Sequence, residues 1–210
     1  MSKQPLLGRF GTGATDIAEL RMDGSTHAIS TIEDEHHEVH KGNSFSFTYS
    51  LISDGDVSDH CAIAFKTPAT APYMHMIITV SSTGSSTFTF YEAAAVSVNP
   101  GANVAVYNRN RNSSTTSGVL SIETTPTANE MTTMTDTQFD GATITEGTVK
   151  LVEVSLGGGN GPRTLGGGTR GAREWVLDAG VIYLADMVDL SAAENIQTIN
   201  LSWYEHTDLD

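Results

Sequence analysis

The chain has 210 residues, enough for one well-filled hydrophobic core, and its 11 Lys and Arg face 25 Asp and Glu, for a formal net charge of -14. Such an acidic surface repels nucleic acid and anionic membranes, so the composition argues against both as partners. The single cysteine, Cys61, excludes an intramolecular disulfide, and its strand-like surroundings predict a buried, inert thiol. The first residues lack the apolar run of a signal peptide, and no segment approaches the roughly 18 apolar residues of a membrane span. We therefore expect synthesis in a cytoplasm.

The first 25 residues carry Gly8, Gly11, Gly13 and Gly24 and show weak hydrophobic periodicity. We interpret them as an extended N-terminal arm, followed by a single domain over 26–210. Helical composition is confined to Ala14 to Met22 and Ala93 to Val96, and both stretches are short for stable helices.

A cluster of His and carboxylate residues follows the arm, in the sequence Glu33 to His40. We interpret it as a strand, on which His36, Glu38 and His40 would share one face. Two or three of them could bind a divalent cation at a subunit junction, whereas the alternative is a solvated strand. The spacing His37-Glu38-Val39-His40 is one residue short of the zinc-protease pattern, and we predict neither a metal nor another cofactor.

Alternating apolar and polar residues predict many short strands. The clearest is Ser44 to Leu51, where aromatic and aliphatic side chains alternate with Ser and Thr. Other predicted strands, separated by turn signals, are His60 to Lys66, Tyr73 to Val80, Thr87 to Tyr91, Val104 to Tyr107, Val119 to Thr124, Thr148 to Ser155, Glu174 to Leu177, Val181 to Val188 and Ile196 to Tyr204. Short strands at near-regular spacing predict an all-β sandwich or barrel.

Two loops hold basic residues that stand out on so acidic a chain. Asn108 to Ser114 includes Arg109 and Arg111, which are either part of a solvated hairpin or bidentate contacts to carboxylates of a neighbouring subunit. From Gly157 to Gly171, eight of fifteen residues are glycine, with Arg163 and Arg170 inside this segment and Arg173 just beyond it. Such a loop cannot pack a core, so the composition predicts either a mobile loop or one that a partner orders. Its arginines make it the best candidate in the sequence for a contact with an acidic neighbour.

Motifs for catalysis are weak. The chain has no Gly-x-Ser-x-Gly elbow and no Gly-Lys-Ser/Thr element for a phosphate. Carboxylates are numerous enough for a glycosidase pair, but acidic surface explains them better. The sequence therefore predicts a binding protein rather than an enzyme.

Several segments resemble those of tailed-phage virion proteins encoded close to the major capsid protein. They are Asp34 to Ser44 leading into an alternating strand, Asn108 to Ser113, the glycine-rich loop before Glu174 to Leu177, and the closing Leu201 to Thr207. The resemblance covers residues 27 to 207 and leaves the arm outside it.

The resemblance implies a β-sandwich, with the jelly roll as one form, that decorates or cements the exterior of the phage capsid as a homotrimer bound to the major capsid protein. In that role we expect the arm and the glycine-rich loop to grip the shell or adjacent copies. The main alternative is a tail or head-fibre component that binds a receptor or carbohydrate, since β-sandwiches often present loops to sugars.

Overall fold

The computed structural model describes residues 21–22, 29–30, 35–96, 101–122, 125–135, 144–145, 149–157, 163–165 and 174–207. The chain divides into two units, Met1–Asp34 and Glu35–Asp210, so the predicted boundary after residue 25 falls inside the first unit. Within that unit, β1 (Arg21–Met22) pairs antiparallel with β2 (Ile29–Ser30). The rest of the predicted arm, with most of the segment Ala14 to Met22, lies outside the described residues.

The second unit is built almost entirely of strands, as a chain rich in Ser, Thr and short apolar runs favours. In chain order its described elements are α1 (Glu35–Lys41), β3 (Ser44–Ser53), β4 (His60–Lys66), β5 (Tyr73–Ser82), β6 (Ser86–Glu92), β7 (Ala95–Val96), β8 (Ala102–Ala105), β9 (Tyr107–Asn108), β10 (Glu130–Met134), β11 (Ile144–Thr145), β12 (Val149–Leu156), β13 (Arg163–Leu165), β14 (Trp175–Val176), β15 (Ile182–Asp189) and β16 (Asn195–His206).

Two antiparallel sheets pack face to face, which confirms the predicted β-sandwich. One, the β15 sheet, has the order β12-β6-β15-β4-β10-β8. The other, the β16 sheet, has the order β13-β5-β16-β3-β9, and β14 also pairs with β5. A separate two-stranded sheet joins β7 and β11.

The connectivity of the two sheets is that of a jelly roll. From β3 to β6 successive strands alternate between the sheets, and so do β12, the β13 and β14 pair, β15 and β16. The last two strands each insert between two earlier ones: β15 lies between β4 and β6, and β16 lies between β3 and β5. Eight strands in two interleaved four-stranded sheets are the pattern of that fold.

The segment between β6 and β12 covers edges that a bare jelly roll would leave open. It contributes β10 and β8 beside β4, and β9 beside β3. Unpaired edges invite uncontrolled pairing with other chains. The insertion therefore covers the middle of the edge of β4, at Ala62 to Ala64, and only the start of the edge of β3, at Phe45 and Ser46.

The main core lies between the sheets and is rich in aromatic residues. Along β16, buried and half-buried residues alternate through the strand, as a strand with one face on the core requires. Trp203 packs on Phe45 with ring centroids 5.9 Å apart. Tyr183 stacks between Phe65 and Phe90, at 5.7 and 5.5 Å.

Strand β4 is buried on both faces. Ile63 and Phe65 belong to the main core, whereas Ala62 and Ala64 pack on the other face with Leu184 and other apolar residues. The small side chains of Ala62 and Ala64 allow other segments of the protein to pack closely against that second face. Cys61 is likewise fully buried, which confirms the prediction for its thiol.

Most predicted strands are confirmed, with two exceptions in the insertion. Val104 to Tyr107 is divided between β8 and β9, because the chain passes from one sheet to the other within it. The crossing lies at Val106, which is buried. In the described part of Val119 to Thr124, only Leu120 forms bridges, to Lys66 and Ala128, so the predicted strand is wrong there. Strand β10 was not predicted. The stretch Ala93 to Val96, which has helical composition but is short for a stable helix, ends in strand β7.

The His-rich segment is a helix, not the predicted strand. Helix α1 ends in a Schellman motif, in which Gly42 N donates to Val39 O at 3.1 Å and Asn43 N donates to Glu38 O at 3.0 Å. Gly42 has a φ of +81°, and a Cβ there would overlap the side chain of Ser113. The glycine cap, which the strand interpretation overlooked, stops the helix directly before β3. Within the described residues, this short helix falls well below the length and apolarity that crossing a bilayer demands.

Candidate functional site

A cavity of about 290 Å³ opens where α1, the end of β16 and the segment 115–118 meet. We call this the α1 end of the sandwich; β3 begins there and β16 finishes there. The cavity is lined by Glu38, Lys41, Asn43, Phe45, Pro72, Thr115, Thr116, Glu205, His206 and Thr207.

Glu205 is the most heavily bonded carboxylate at this cavity. Its Oε1 accepts hydrogen bonds from Ser117 Oγ, from Gly118 N at 3.1 Å and from Trp203 Nε1 at 3.2 Å. Its Oε2 accepts from Gly118 N at 3.0 Å. Only 6% of the residue is exposed, so these bonds replace the water that the carboxylate gave up on folding. Glu205 thereby joins the 117–118 segment to β16.

Glu38 is the second carboxylate of the cavity, and it is 1% exposed. Lys41 Nζ lies 3.0 Å from its Oε1, and Asn43 Nδ2 donates to its Oε2 at 3.2 Å. Burial by itself raises the pKa of Glu38. The hydrogen bonds from Lys41 and Asn43, with the charges of Lys41 and His206, outweigh burial and hold the pKa below its usual value.

The two carboxylates do not have the electrostatics of a glycosidase pair. Such a pair needs a general acid whose pKa is raised, beside an ionised partner. Glu38 has the opposite shift, and both oxygens of Glu205 are engaged by groups of the chain itself. The arrangement is suited to holding α1 and the 115–118 segment against the sandwich.

Asparagines of the polar loop 108–115 clamp the end of α1. Asn108 Nδ2 donates to Gly42 O at 2.7 Å and to Thr115 O at 2.9 Å. Asn110 Nδ2 donates to His40 O at 3.0 Å. These bonds satisfy carbonyls at the helix terminus, which lack partners within the helix.

The arginines of the same loop lie on its exposed side. Arg109 Nη1 donates to Ser44 Oγ at 3.3 Å. The guanidinium of Arg111 lies over the ring of Tyr107, 5.3 Å from its centroid. Tyr107 is itself 58% exposed. The loop therefore presents one aromatic and two cationic side chains on a backbone fixed by its asparagines.

Two of the predicted interface arginines, Arg163 and Arg109, lie far apart in the β16 sheet. Arg163 lies in β13 and pairs with Ser82, at the edge of the β16 sheet opposite β9 and at the end opposite α1. With strands about 4.8 Å apart and residues about 3.4 Å apart, the backbones of Arg163 and Arg109 are roughly 30 Å apart. Arg170 and Arg173 lie outside the described residues, as does the side chain of Arg163.

Glu38 and His40, two of the three predicted metal candidates, do not share a face of α1. His40 is exposed and Glu38 is buried, because residues two apart on a helix point to opposite sides. The side chain of His36 lies outside the part that the structure describes. Among the described residues, no group of three or more His, Cys, Asp or Glu is placed to hold a metal ion.

A second buried polar cluster lies at the opposite end of the sandwich and centres on Asn195, which is fully buried. Its Oδ1 accepts from Ser82 Oγ at 2.9 Å and from Gly84 N at 2.6 Å. Its Nδ2 donates to Ser86 Oγ at 3.0 Å and to Asp189 Oδ1 at 2.8 Å. Asn195 thereby ties the β5–β6 turn to the loop between β15 and β16.

The sequence interpretation missed both Glu205 and Asn195, although a signal was present. It recognised Ile199, Leu201 and Trp203 as one face of the last strand. Extending that alternation in both directions places Asn195 and Glu205 on the same core-facing side. Polar residues at core-facing positions need internal partners, which marks them as structural hubs.

Comparisons with known proteins add no relative: no family model matches the chain, and neither a curated protein nor a solved structure is significantly similar to it.

Proposed function

We propose that this chain is a structural protein of a tailed-phage virion that decorates the capsid, where it binds the lattice of the major capsid protein and stabilises the head. The observation that carries the proposal is the exposed group Tyr107, Arg109 and Arg111, which we call the Tyr-Arg loop. Tyrosine and arginine are enriched among the residues that dominate protein interfaces. The resemblance of Asn108 to Ser113 to virion proteins points to the capsid as the partner.

The Tyr-Arg loop is organised before it meets a partner. The hydrogen bonds of Asn108 and Asn110 to the end of α1 fix its backbone. A loop that is already ordered loses less conformational entropy on binding. Guanidinium groups held in this way suit bidentate contacts with carboxylates of a neighbouring subunit.

The net charge of the chain and the repetition of sites on a capsid lattice are both consistent with decoration of a capsid. Against a net charge of -14, two exposed arginines form a local site of opposite sign. A lattice offers the same site many times, so modest affinity at each contact is multiplied when copies are linked, as in the homotrimer that the resemblance implies. The acidic remainder of the surface disfavours nucleic acid and anionic membranes as partners.

The test is cosedimentation of the purified full chain with empty capsid shells of the phage that encodes it. The double variant Arg109→Glu with Arg111→Glu reverses both charges of the Tyr-Arg loop, and we expect at least about a tenfold loss of bound copies. Lys150→Glu is the matched control, because Lys150 is exposed on β12 in the other sheet. Unchanged occupancy for the double variant, or an equal loss for the control, contradicts the assignment of this loop.

Electron cryomicroscopy of the particles separates the capsid role from the alternative. Density that bridges capsid subunits supports decoration, whereas density confined to the tail or fibres assigns the chain to tail structure or host recognition. Carbohydrate sites usually present exposed aromatic residues. Trp203 is fully buried and Trp175 is half-buried, which gives the glycan alternative less support.

A further inference from the structure

The outer face of the β16 sheet carries no charge on its three long strands. Its outward-facing residues are the even-numbered residues 46–52 of β3 and 196–204 of β16, with the odd-numbered residues 75–81 of β5. None of them is Asp, Glu, Lys or Arg. We call these residues the uncharged face. Charges occur only at its border, where Glu174 lies 3.9 Å from His75 and Arg111 covers Tyr107.

This face is exceptional within the same molecule. The outward-facing residues of the β15 sheet, in contrast, include the charged residues Lys66, Lys150 and Glu153. The three long strands of the β16 sheet carry a single charged residue, Glu205, and it faces inward. Protein surfaces ordinarily mix charges of both signs, about a quarter to a third of their residues. A charge-free sheet face on a chain of net charge -14 therefore needs a physical reason.

Several polar side chains of the uncharged face are already bonded to one another. Ser50 Oγ and Thr198 Oγ1 share a hydrogen bond of 2.8 Å across β3 and β16. Asn200 Nδ2 donates to Thr48 Oγ1 at 2.6 Å in the next row. A group that keeps a hydrogen bond when water leaves costs much less to bury than an unpaired one. These side chains can therefore lose their water at a contact without being left unpaired.

Apolar side chains and area also suit a contact. Ile52 and Ile196 are paired neighbours on this face and are 63% and 41% exposed. Three strands about 4.8 Å apart and about ten residues long, with the short flanking strands, cover roughly 600 Å² in projection. Stable interfaces bury about 800 Å² of accessible surface per partner, and accessible area exceeds projected area.

We propose that the uncharged face binds the same face of a second copy of this chain. Two copies of an acidic protein repel each other wherever their carboxylates approach, so they associate most readily through a surface without carboxylates. A basic partner would gain nothing there and would bind the acidic surface elsewhere. Because the same face is used on both sides, the contact has two-fold symmetry. The assembly in solution therefore contains an even number of chains: two copies, or two of the homotrimers that the resemblance implies, joined through this face. This inference stands whether or not the chain decorates a capsid.

The test uses sedimentation velocity to compare the mass of the full-length protein in solution with that of variants of the uncharged face. The starting concentration is about 100 μM, well above the micromolar or tighter dissociation constants of such interfaces. Ser50→Lys and Thr48→Lys each place an unpaired cation in the contact, and we expect each to weaken it by about a hundredfold or more. In a dilution series from about 100 μM downward, each variant should lose half of its mass at a concentration about a hundredfold higher than the wild type does. Ser155→Lys on β12 is the matched control, since Ser155 is also an exposed strand serine but lies in the other sheet. We expect it to keep the wild-type mass, and thermal melts establish that all variants are folded.

Ionic strength provides an independent readout. Raising it from about 0.1 M to about 1 M shortens the Debye length from about 10 Å to about 3 Å, which weakens the repulsion between acidic copies. We expect the contact to tighten. A wild-type monomer, an odd number of chains, a mass that survives both face variants, or association that weakens with salt overturns the proposal.

Discussion

Replacing Glu205 with Gln tests whether the buried carboxylate fastens the 117–118 segment to the sandwich. The substitution keeps the shape of the side chain and removes its charge. The amide oxygen can still accept from Ser117 Oγ and Trp203 Nε1, but the amide nitrogen then faces the N–H of Gly118, which donates to the carboxylate in the wild type. Two donors facing each other cannot bond, so Gly118 N keeps only the oxygen at the Oε1 position, 3.1 Å away in the wild type, and the amide nitrogen has no acceptor there.

The expected cost follows from those contacts. Hydrogen bonds to a charged acceptor are roughly twice as strong as neutral ones, and an unsatisfied buried group costs about 1 to 3 kcal/mol. Weaker bonds from Ser117 and Trp203 add to the misplaced donor at Gly118. Together they lower the free energy of unfolding by about 2 to 4 kcal/mol. For a domain of this size, each kcal/mol corresponds to about 2 to 4 °C in melting temperature.

The assay is urea unfolding at pH 7, followed by tryptophan fluorescence and circular dichroism. Trp203 donates to Glu205, so its emission reports directly on the site. Glu153→Gln is the control, because Glu153 is 55% exposed and its contact with Lys150 is a surface pair of 3.4 Å, for which no measurable loss is expected. Equal midpoints for Glu205→Gln and Glu153→Gln refute the reasoning.

Three further predictions concern other buried groups. Because the folded pKa of Glu38 lies below its ordinary value of 4.5, its stabilisation is present above that pH and is lost as pH falls through the folded pKa. Glu38→Gln should cost about 1 kcal/mol at pH 7, and in chemical unfolding this difference from wild type should shrink as the pH is lowered below 4.5. Burial raises the pKa of the Cys61 thiol to about 12, so a disulfide reagent at pH 9 should label it only as fast as the protein opens. The free energy of unfolding should also decline as pH rises from 9 toward 12. Labelling at the rate of a free thiol contradicts this prediction. Asn195→Ala removes the hub of the second polar cluster and should lower the free energy of unfolding by about 3 kcal/mol in urea titrations, whereas Asn112→Ala in an exposed loop should leave it unchanged.

The strands that could be predicted are those in which neighbouring residues alternate between apolar and polar, because that alternation shows which side chains face the core. In β3, Phe45 and Phe47 face the core while Ser46 and Thr48 face outward, so the alternation appears directly in the sequence. Helix α1 was not predictable in that way. Its sequence, EHHEVHK, has a single apolar residue and so shows neither a strand nor a helix period, and part of its support comes from Asn108 and Asn110, far along the chain.

The candidate site depended still more on distant partners. Glu205 is joined to Ser117 across 88 residues of sequence, and Asn195 to Ser82 across 113. A single sequence shows that a polar residue interrupts a core-facing pattern, but it does not show which group forms a hydrogen bond with that residue. The interface arginines illustrate the same limit, since Arg109 and Arg163 look alike in sequence and lie at opposite ends of one sheet.

The sequence by itself determined an acidic, all-β chain with a buried thiol and three long strands that carry almost no charge, because composition and period-two alternation are local properties. Only the tertiary structure decided that β16 lies between β3 and β5, so that their uncharged sides form one continuous face. It also decided that Glu205 and Glu38 meet at one cavity. Both outcomes arise from hydrogen bonds and packing between segments far apart in the chain, whose pairing depends on the free energy of the whole fold.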